Sequence, residues 1–247
     1  MKNKIIEARE FVNNNSLIIF TTVLIIFFTS VFTHISFIFV KEINVVQEKM
    51  TKLLEENEAL KAENNEIKEK LELVEEVFLE AEKIKDFIRN KRSQVENMKF
   101  KNASVRKISQ EEISEITYAI IFTSRMCGVS TKRVTTIAWI ETWFDREAIG
   151  KKCGERGLIQ VWWPTFKYIK NSLNLNVDYY NWRDTLIVGA IYLKDLENKF
   201  KYHKNRDDLI FAAYNAGASR SPDVILKRAA NYVNNARNTY KEVLRML

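Results

Sequence analysis

Residues 109–144 read SQEEISEITYAIIFTSRMCGVSTKRVTTIAWIETWF. Ser109-Gln-Glu-Glu112 is a capping box: the serine hydroxyl and the glutamate three residues on satisfy donors that every helix start leaves free. It predicts a helix through about Met126. Ser130 predicts the start of a second, whose apolar positions include Val134, Ile137, Ala138 and Ile140, with Glu141 near its end. Pro164, Asp184, Asn205 and Ser221-Pro222 each carry N-cap or first-turn chemistry for a further helix. No stretch reads as a strand hairpin, and two prolines and six glycines in 247 residues leave little material for a turn-rich β fold. The expectation is an all-α domain, or nearly so, over residues 105–247, with six or so helices and enough chain to enclose its own core.

Upstream the text changes character twice. Residues 91–104 are read as a linker, because the apolar rhythm that precedes them fails in NKRSQVENMKFKNAS. Residues 41–90 are Glu/Lys-rich with a seven-residue repeat. Met50, Asn57, Asn64, Leu71 and Phe78 fall at one seam position, and Val46, Leu53, Leu60, Ile67, Val74 and Ala81 at the other. Such spacing predicts a coiled-coil stalk. Asparagine at two successive a positions favours two strands, and a parallel pairing would set Glu56 against Lys61, Glu63 against Lys68 and Lys70 against Glu75, all attractive. A parallel homodimer is therefore expected, holding the C-terminal domain on the order of 60 Å from whatever anchors the other end.

That anchor is residues 17–40, LIIFTTVLIIFFTSVFTHISFIFV, which carry no formally charged side chain. As a helix they would be about 36 Å long, enough to cross a hydrocarbon core of about 30 Å. The run is too long for a cleaved leader and lacks a small-x-small cleavage site at its end. Flanking lysines and arginines balance, so charge does not orient it. His34 inside the span is read as a packing residue.

The charge is uneven. From residue 101 onward 24 Lys/Arg face 15 Asp/Glu, so the C-terminal part is about +9 and the rest about −2. A polyanion would be attracted, be it nucleic acid, anionic lipid or a carboxylate-rich bacterial wall. No nucleic-acid-binding motif is present, and a nucleic-acid partner is not expected. Cys127 and Cys153 form no metal-ligand pattern, so neither a metal site nor a cofactor is expected; a disulfide between them stays open.

Ile137-Ala-Trp-Ile-Glu-Thr-Trp-Phe144 sets one carboxyl group among uncharged, mostly apolar neighbours. Desolvation keeps such a group protonated to higher pH, as a proton donor to a glycosidic oxygen requires. On these residues alone, Glu141 could equally pair with Arg146 or Arg125. Three segments add to this reading. Glu141-Thr-Trp-Phe144, Gly157-Leu-Ile-Gln160 and Ala213-Tyr-Asn-Ala-Gly217 resemble, in order and spacing, the Glu-Ser-x-Phe, Gly-Leu-Met-Gln and Ala-Tyr-Asn-Ala-Gly segments of the lytic transglycosylases, the soluble lytic transglycosylase catalytic domain family of the lysozyme-like superfamily. The likeness extends from about residue 108 to the C-terminus.

This resemblance implies a peptidoglycan-cutting lyase. Glu141 would protonate the oxygen between N-acetylmuramic acid and N-acetylglucosamine and then act as base on the C6 hydroxyl, leaving a 1,6-anhydro end. The substrate's own acetamido group would support the cationic intermediate, so no second carboxylate would be required; Asp145 and Glu147 are the nearest candidates. The resemblance further implies that Thr142, Gln160, Tyr214, Asn215 and Tyr232 bind substrate. Departures from the family pattern are Thr142 for serine, Arg228 where an acidic residue often precedes the Tyr232-Val233 pair, and a Lys151–Arg156 loop about one residue longer. Trp162 and Trp163 are read either as sugar-stacking or as core.

The expected partners are glycan strands, the membrane through residues 17–40, and a second copy of the chain. The short tail 1–16 would lie in the cytoplasm and the enzyme domain on the periplasmic or wall side. Anchored single-domain enzymes of this kind occur in phage-encoded and in bacterial wall-remodelling systems, with the former slightly favoured. Competing readings are a lysozyme-type hydrolase, which would need an activated water and normally a second carboxylate, and a wall-binding scaffold in which catalysis is dispensable.

Overall fold

The computed structural model describes residues 2–96, 105–151 and 153–247. It is 78% helical, with eight helices and no strand among the described residues. Helix α1 runs over Lys2–Glu96, followed by α2 (Gln110–Cys127), α3 (Thr131–Thr142), α4 (Trp163–Ser172), α5 (Trp182–Lys199), α6 (Arg206–Ala216), α7 (Pro222–Arg228) and α8 (Ala230–Met246). The chain divides into two units, residues 1–71 and 72–247.

The first unit is the greater part of α1, and α1 is the one described helix long and apolar enough to cross a membrane. From Phe20 onward its apolar side chains are bare, Ile25 and Phe28 among them. The Thr22, Thr29 and Thr33 hydroxyls donate to the carbonyls of Ile18 (2.8 Å), Ile25 (2.8 Å) and Thr29 (2.9 Å). These bonds satisfy within the helix the groups that hydrocarbon could not. The seam residues Met50, Leu53, Leu60, Ile67 and Leu71 are exposed as well.

In the second unit the expected capping box is present. Ser109 Oγ accepts from the Glu112 N–H at 3.2 Å, and Glu112 Oε2 accepts from the Ser109 N–H at 3.3 Å. Asn181, rather than Asp184, caps α5; Asp184 sits in the first turn. Helix α3 packs on α8 and α2, α2 and α4 on α5, and α6 on α5, α7 and α8. Buried Arg133 of α3 pairs with Glu197 of α5 and, at 2.5 Å, with Asp207 of α6, while lying 5.8 Å from the Tyr240 ring of α8. One cation thus joins four helices, and its burial is compensated by two carboxylates.

Where a linker was expected from residue 91, α1 continues to Glu96, and its last turns belong to the second unit. Ala81, Ile84, Phe87 and Ile88 are buried in the same core as Ile113, Ile116 and Ile120 of α2, and Val95, two turns further on, is buried too. The heptad positions 81, 85, 88, 92 and 95 all face inward, with Lys85 and Arg92 as the polar members. So the seam read as a stalk through Ala81 is, from that residue on, consumed by the chain's own domain. The rest of the expected linker, 97–104, lies outside the described residues.

Candidate active site

Glu141 occupies the last turn of α3, and the chain leaves that helix through an unusual turn. Trp143 and Phe144 both have left-handed backbones (φ 55° and 62°). The Phe144 N–H reaches back to the Ala138 carbonyl at 3.2 Å and the Trp143 N–H to Trp139 at 2.9 Å. That is a Schellman-type ending without glycine, which costs on the order of 1–2 kcal/mol for each left-handed residue. Packing and hydrogen bonding hold it. The Phe144 side chain is fully buried, edge-on to Phe87 of α1 at 6.2 Å and beside Trp139 at 6.0 Å. Arg92 of α1, itself 2% exposed, donates to the Trp143 carbonyl at 3.1 Å and to the Arg106 carbonyl.

The Glu141 carboxyl opens into a cleft of about 490 Å³ lined also by Lys151, Cys153, Glu155, Gln160, Val161, Trp162, Thr165, Tyr192, Tyr214, Asn215, Ala216 and Gly217. Burial pushes its pKa up to about 7; a hydrogen bond from Tyr232 opposes the rise, and the charge of Glu155 adds to it. The Tyr232 hydroxyl, from α8, donates to Glu141 Oε1 at 2.7 Å. The pairing with arginine that the sequence left open does not form. Arg146 binds Glu112, Glu115 and Glu147, and Arg125 binds Glu76 and Glu80. Asp145 is tied to Arg106 at 2.9 Å, and neither Asp145 nor Glu147 lines the cleft.

The expected sugar-binding residues separate into distinct roles. Gln160, Tyr214 and Asn215 line the cleft. Gln160 Nε2 donates to the Ala148 carbonyl at 3.1 Å and the Gly157 carbonyl at 2.9 Å, which uses both amide hydrogens and leaves Oε1 to offer. The Tyr214 hydroxyl donates to the Ile159 carbonyl at 2.6 Å, so this residue presents mainly its ring. Asn215 is exposed and near the mouth-forming Ala216-Gly217.

Thr142 does not face the cleft. It is buried, and its hydroxyl lies 2.8 Å from the Leu158 carbonyl and 3.0 Å from that of Ala138, pinning the loop that carries Gln160 to α3. Tyr232 likewise spends its hydroxyl on the acid instead of lining the cleft. Both belong to the support of Glu141. The tryptophan pair divides: Trp162 lines the cleft, whereas Trp163 stacks on Phe166 and meets Tyr179 edge-on at 5.0 Å. Cys127 and Cys153 are free thiols.

Sequence reading missed Tyr192, which sits mid-helix on α5 with no motif, and Glu155, which sits in the lengthened loop. The Gly157 backbone is left-handed (φ 79°), and a Cβ there would run into the Thr185 hydroxyl, so the turn that delivers Leu158–Gln160 requires glycine.

The Tyr232 bond yields a prediction. Because it favours the ionised acid, Tyr232→Phe raises the Glu141 pKa above about 7, and any activity that needs the protonated form extends to higher pH. The pH dependence of kcat/KM measures this; a basic limb that stays in place contradicts it.

Comparison with known proteins adds the following. Residues 119–237 match the family model described as the transglycosylase SLT domain. No curated protein matches the chain. Among solved structures, an inactive mutant of the lytic transglycosylase Slt from Pseudomonas aeruginosa is similar at 20% identity and a TM-score of 0.43, over 52% of this chain and 24% of that one. The chain therefore spans about a quarter of the length of that solved relative.

Proposed function

We propose, from the match of residues 119–237 to the transglycosylase SLT domain model and the helical fold around it, that the protein is a peptidoglycan lytic transglycosylase with Glu141 as its acid. The observation that carries the reading is a carboxyl group with no cationic partner among the described residues, held protonated up to about pH 7 in a cleft of sugar-binding size.

In the proposed reaction Glu141 gives its proton to the glycosidic oxygen, and the bond from that oxygen to C1 of the muramic acid breaks. The acetamido oxygen closes on C1 to form an oxazolinium ion. The Glu141 carboxylate then takes the C6 hydroxyl proton as O6 attacks C1 and the acetamido oxygen leaves. The proton count returns to its start, and no water is consumed. Tyr232 stabilises the carboxylate between the two steps. Digestion of peptidoglycan by the full chain in ¹⁸O-water tests this directly. Anhydro-muropeptides without ¹⁸O are expected; one ¹⁸O at each new reducing end would make the protein a hydrolase, and a chain that binds glycan without cutting it would be a scaffold.

Residues 17–40 serve as the membrane anchor in this reading. The substrate of such an enzyme lies outside the cytoplasmic membrane, which sets the tail 1–16 inside and the catalytic domain on the wall side. The bare seam of α1 serves as a parallel homodimer contact over residues 46–78, supported by its exposed apolar positions and by attractive Glu56–Lys61, Glu63–Lys68 and Lys70–Glu75 pairs across it. Cysteine cross-linking in the membrane-embedded full chain checks the pairing. Leu60→Cys, at a seam position, is expected to give disulfide-linked dimers, and Ala62→Cys, on the outer face, is not; equal cross-linking at both would contradict a parallel coiled coil.

A further inference from the structure

We propose that Glu155 is the cleft's second working carboxylate, poised beside Glu141 to support the positive charge that develops on the sugar during cleavage. The inference rests on the lyase reading, and it departs from the expectation that one carboxylate suffices.

Geometry singles Glu155 out. Of the carboxylates close to Glu141 in sequence, Asp145 pairs with Arg106 and Glu147 with Arg146, and neither lines the cleft. Glu155 lines the cleft with Glu141 and makes no ion pair among the described residues. The cleft's other described charge, Lys151, is not within pairing distance of it, and neighbouring Arg156 is turned onto the Tyr180 ring at 4.6 Å. A carboxylate in the same cleft disfavours ionisation of Glu141, because two like charges would then share the site.

The loop is built to keep it there. The Gly150 N–H donates to the Glu155 carbonyl at 2.8 Å, and Arg156, next in sequence, bridges both Ile149 and Val161. A Cβ on Gly150 would collide with Glu155 Oε2 and stand 3.1 Å from Gln160 Oε1. Glycine at 150 therefore makes room for the carboxylate, and the same point is shared with the residue expected to bind sugar. Two oxygen acceptors, one charged, converge on one side of the cleft.

The chemistry that fits such a group is a transient cation. At rest the Glu155 charge adds to the burial that keeps Glu141 protonated; Tyr232 bonds Glu141 from α8 and opposes that effect, and Tyr214, a neutral phenol at working pH, faces the acid from α6. Once Glu141 has donated its proton, C1 and the acetamido nitrogen carry positive charge, which an adjacent fixed carboxylate stabilises. Glu155 forms no bond to carbon and moves no proton in this scheme.

The test is Glu155→Gln in the full chain, with Glu155→Asp as the charge-keeping companion. Glu155→Gln is expected to lower kcat for anhydro-muropeptide release by about ten- to a hundred-fold with KM little changed. Its basic pH limb should move to lower pH, because the acid loses a like-charged neighbour. Glu155→Asp should recover part of the rate. A ¹³C titration of the Glu141 carboxyl, which needs no turnover, should show a lowered midpoint in Glu155→Gln. Wild-type kcat with an unmoved Glu141 midpoint would overturn the proposal. So would wild-type products with reducing ends that disappear in Glu155→Gln, since Glu155 would then be activating water. If the wild type releases nothing, the lyase reading fails, while the titration still decides whether Glu155 acts on Glu141.

Discussion

Glu141→Gln is expected to reduce release of anhydro-muropeptides by at least about a thousand-fold. A positioned general acid contributes about 10²–10⁴ in rate, and here the same group would act twice, as acid and then as base. Glutamine keeps the shape of the side chain and keeps an oxygen for the Tyr232 hydroxyl to bond, so the cleft and its affinity for glycan should survive. The loss should fall on kcat, with binding to insoluble peptidoglycan retained. Quantitative mass spectrometry of released fragments, alongside a pull-down with wall material, separates these quantities. Residual activity above about a tenth of wild type would remove Glu141 from the chemistry.

The second large effect concerns residues far from the cleft in sequence. A chain beginning at residue 105 is expected not to fold cooperatively, whereas one beginning at residue 72 should. Between these starts lie Ala81, Ile84, Phe87, Ile88 and Val95, all buried. Burying the four large ones is worth roughly 1.5–3 kcal/mol each, together comparable with the 5–15 kcal/mol that stabilises a whole domain. Their removal would also bare Ile113, Ile116 and Ile120, and would strip Phe87 and Arg92 from the left-handed turn that follows Glu141. Circular dichroism melts of the two chains give the answer. A sharp transition for the chain starting at residue 105, close to that of the longer one, would show the end of α1 to be dispensable. Since the family match begins at residue 119, the whole of α1 and the first half of α2 stand outside it.

These two predictions also mark what the sequence discloses. The all-helical domain was legible because caps are local: Ser109 and Glu112 meet as their spacing dictates, and Pro222 opens α7. The desolvation of Glu141 was legible from its apolar company, and burial is the first cause of its raised pKa; its role as the acid came from the resemblance of the three segments. Its partner was not, because Tyr232 arrives from a helix 91 residues away and only packing of α3 on α8 brings them together. Thr142 was named as a sugar contact through the resemblance alone; its hydroxyl bonds the Leu158 and Ala138 carbonyls, partners that local sequence does not disclose. The end of α1 was hidden by charge. Lys85 and Arg92 occupy heptad positions where a seam should be apolar, so the rhythm read as broken, yet both are buried and bonded to the domain. Glu155 escaped because a loop of altered length has no register from which a side chain's direction can be read.

The measurement that bears most directly on the account is a site-resolved ¹³C titration of the Glu141 carboxyl in the resting protein, set beside the pH dependence of glycan cleavage. The account predicts a midpoint of about 7, coincident with the fall of activity as pH rises, because the proton donor is lost there. A midpoint near the ordinary 4.5 of a solvated glutamate, with cleavage persisting well above it, would contradict Glu141 as the acid.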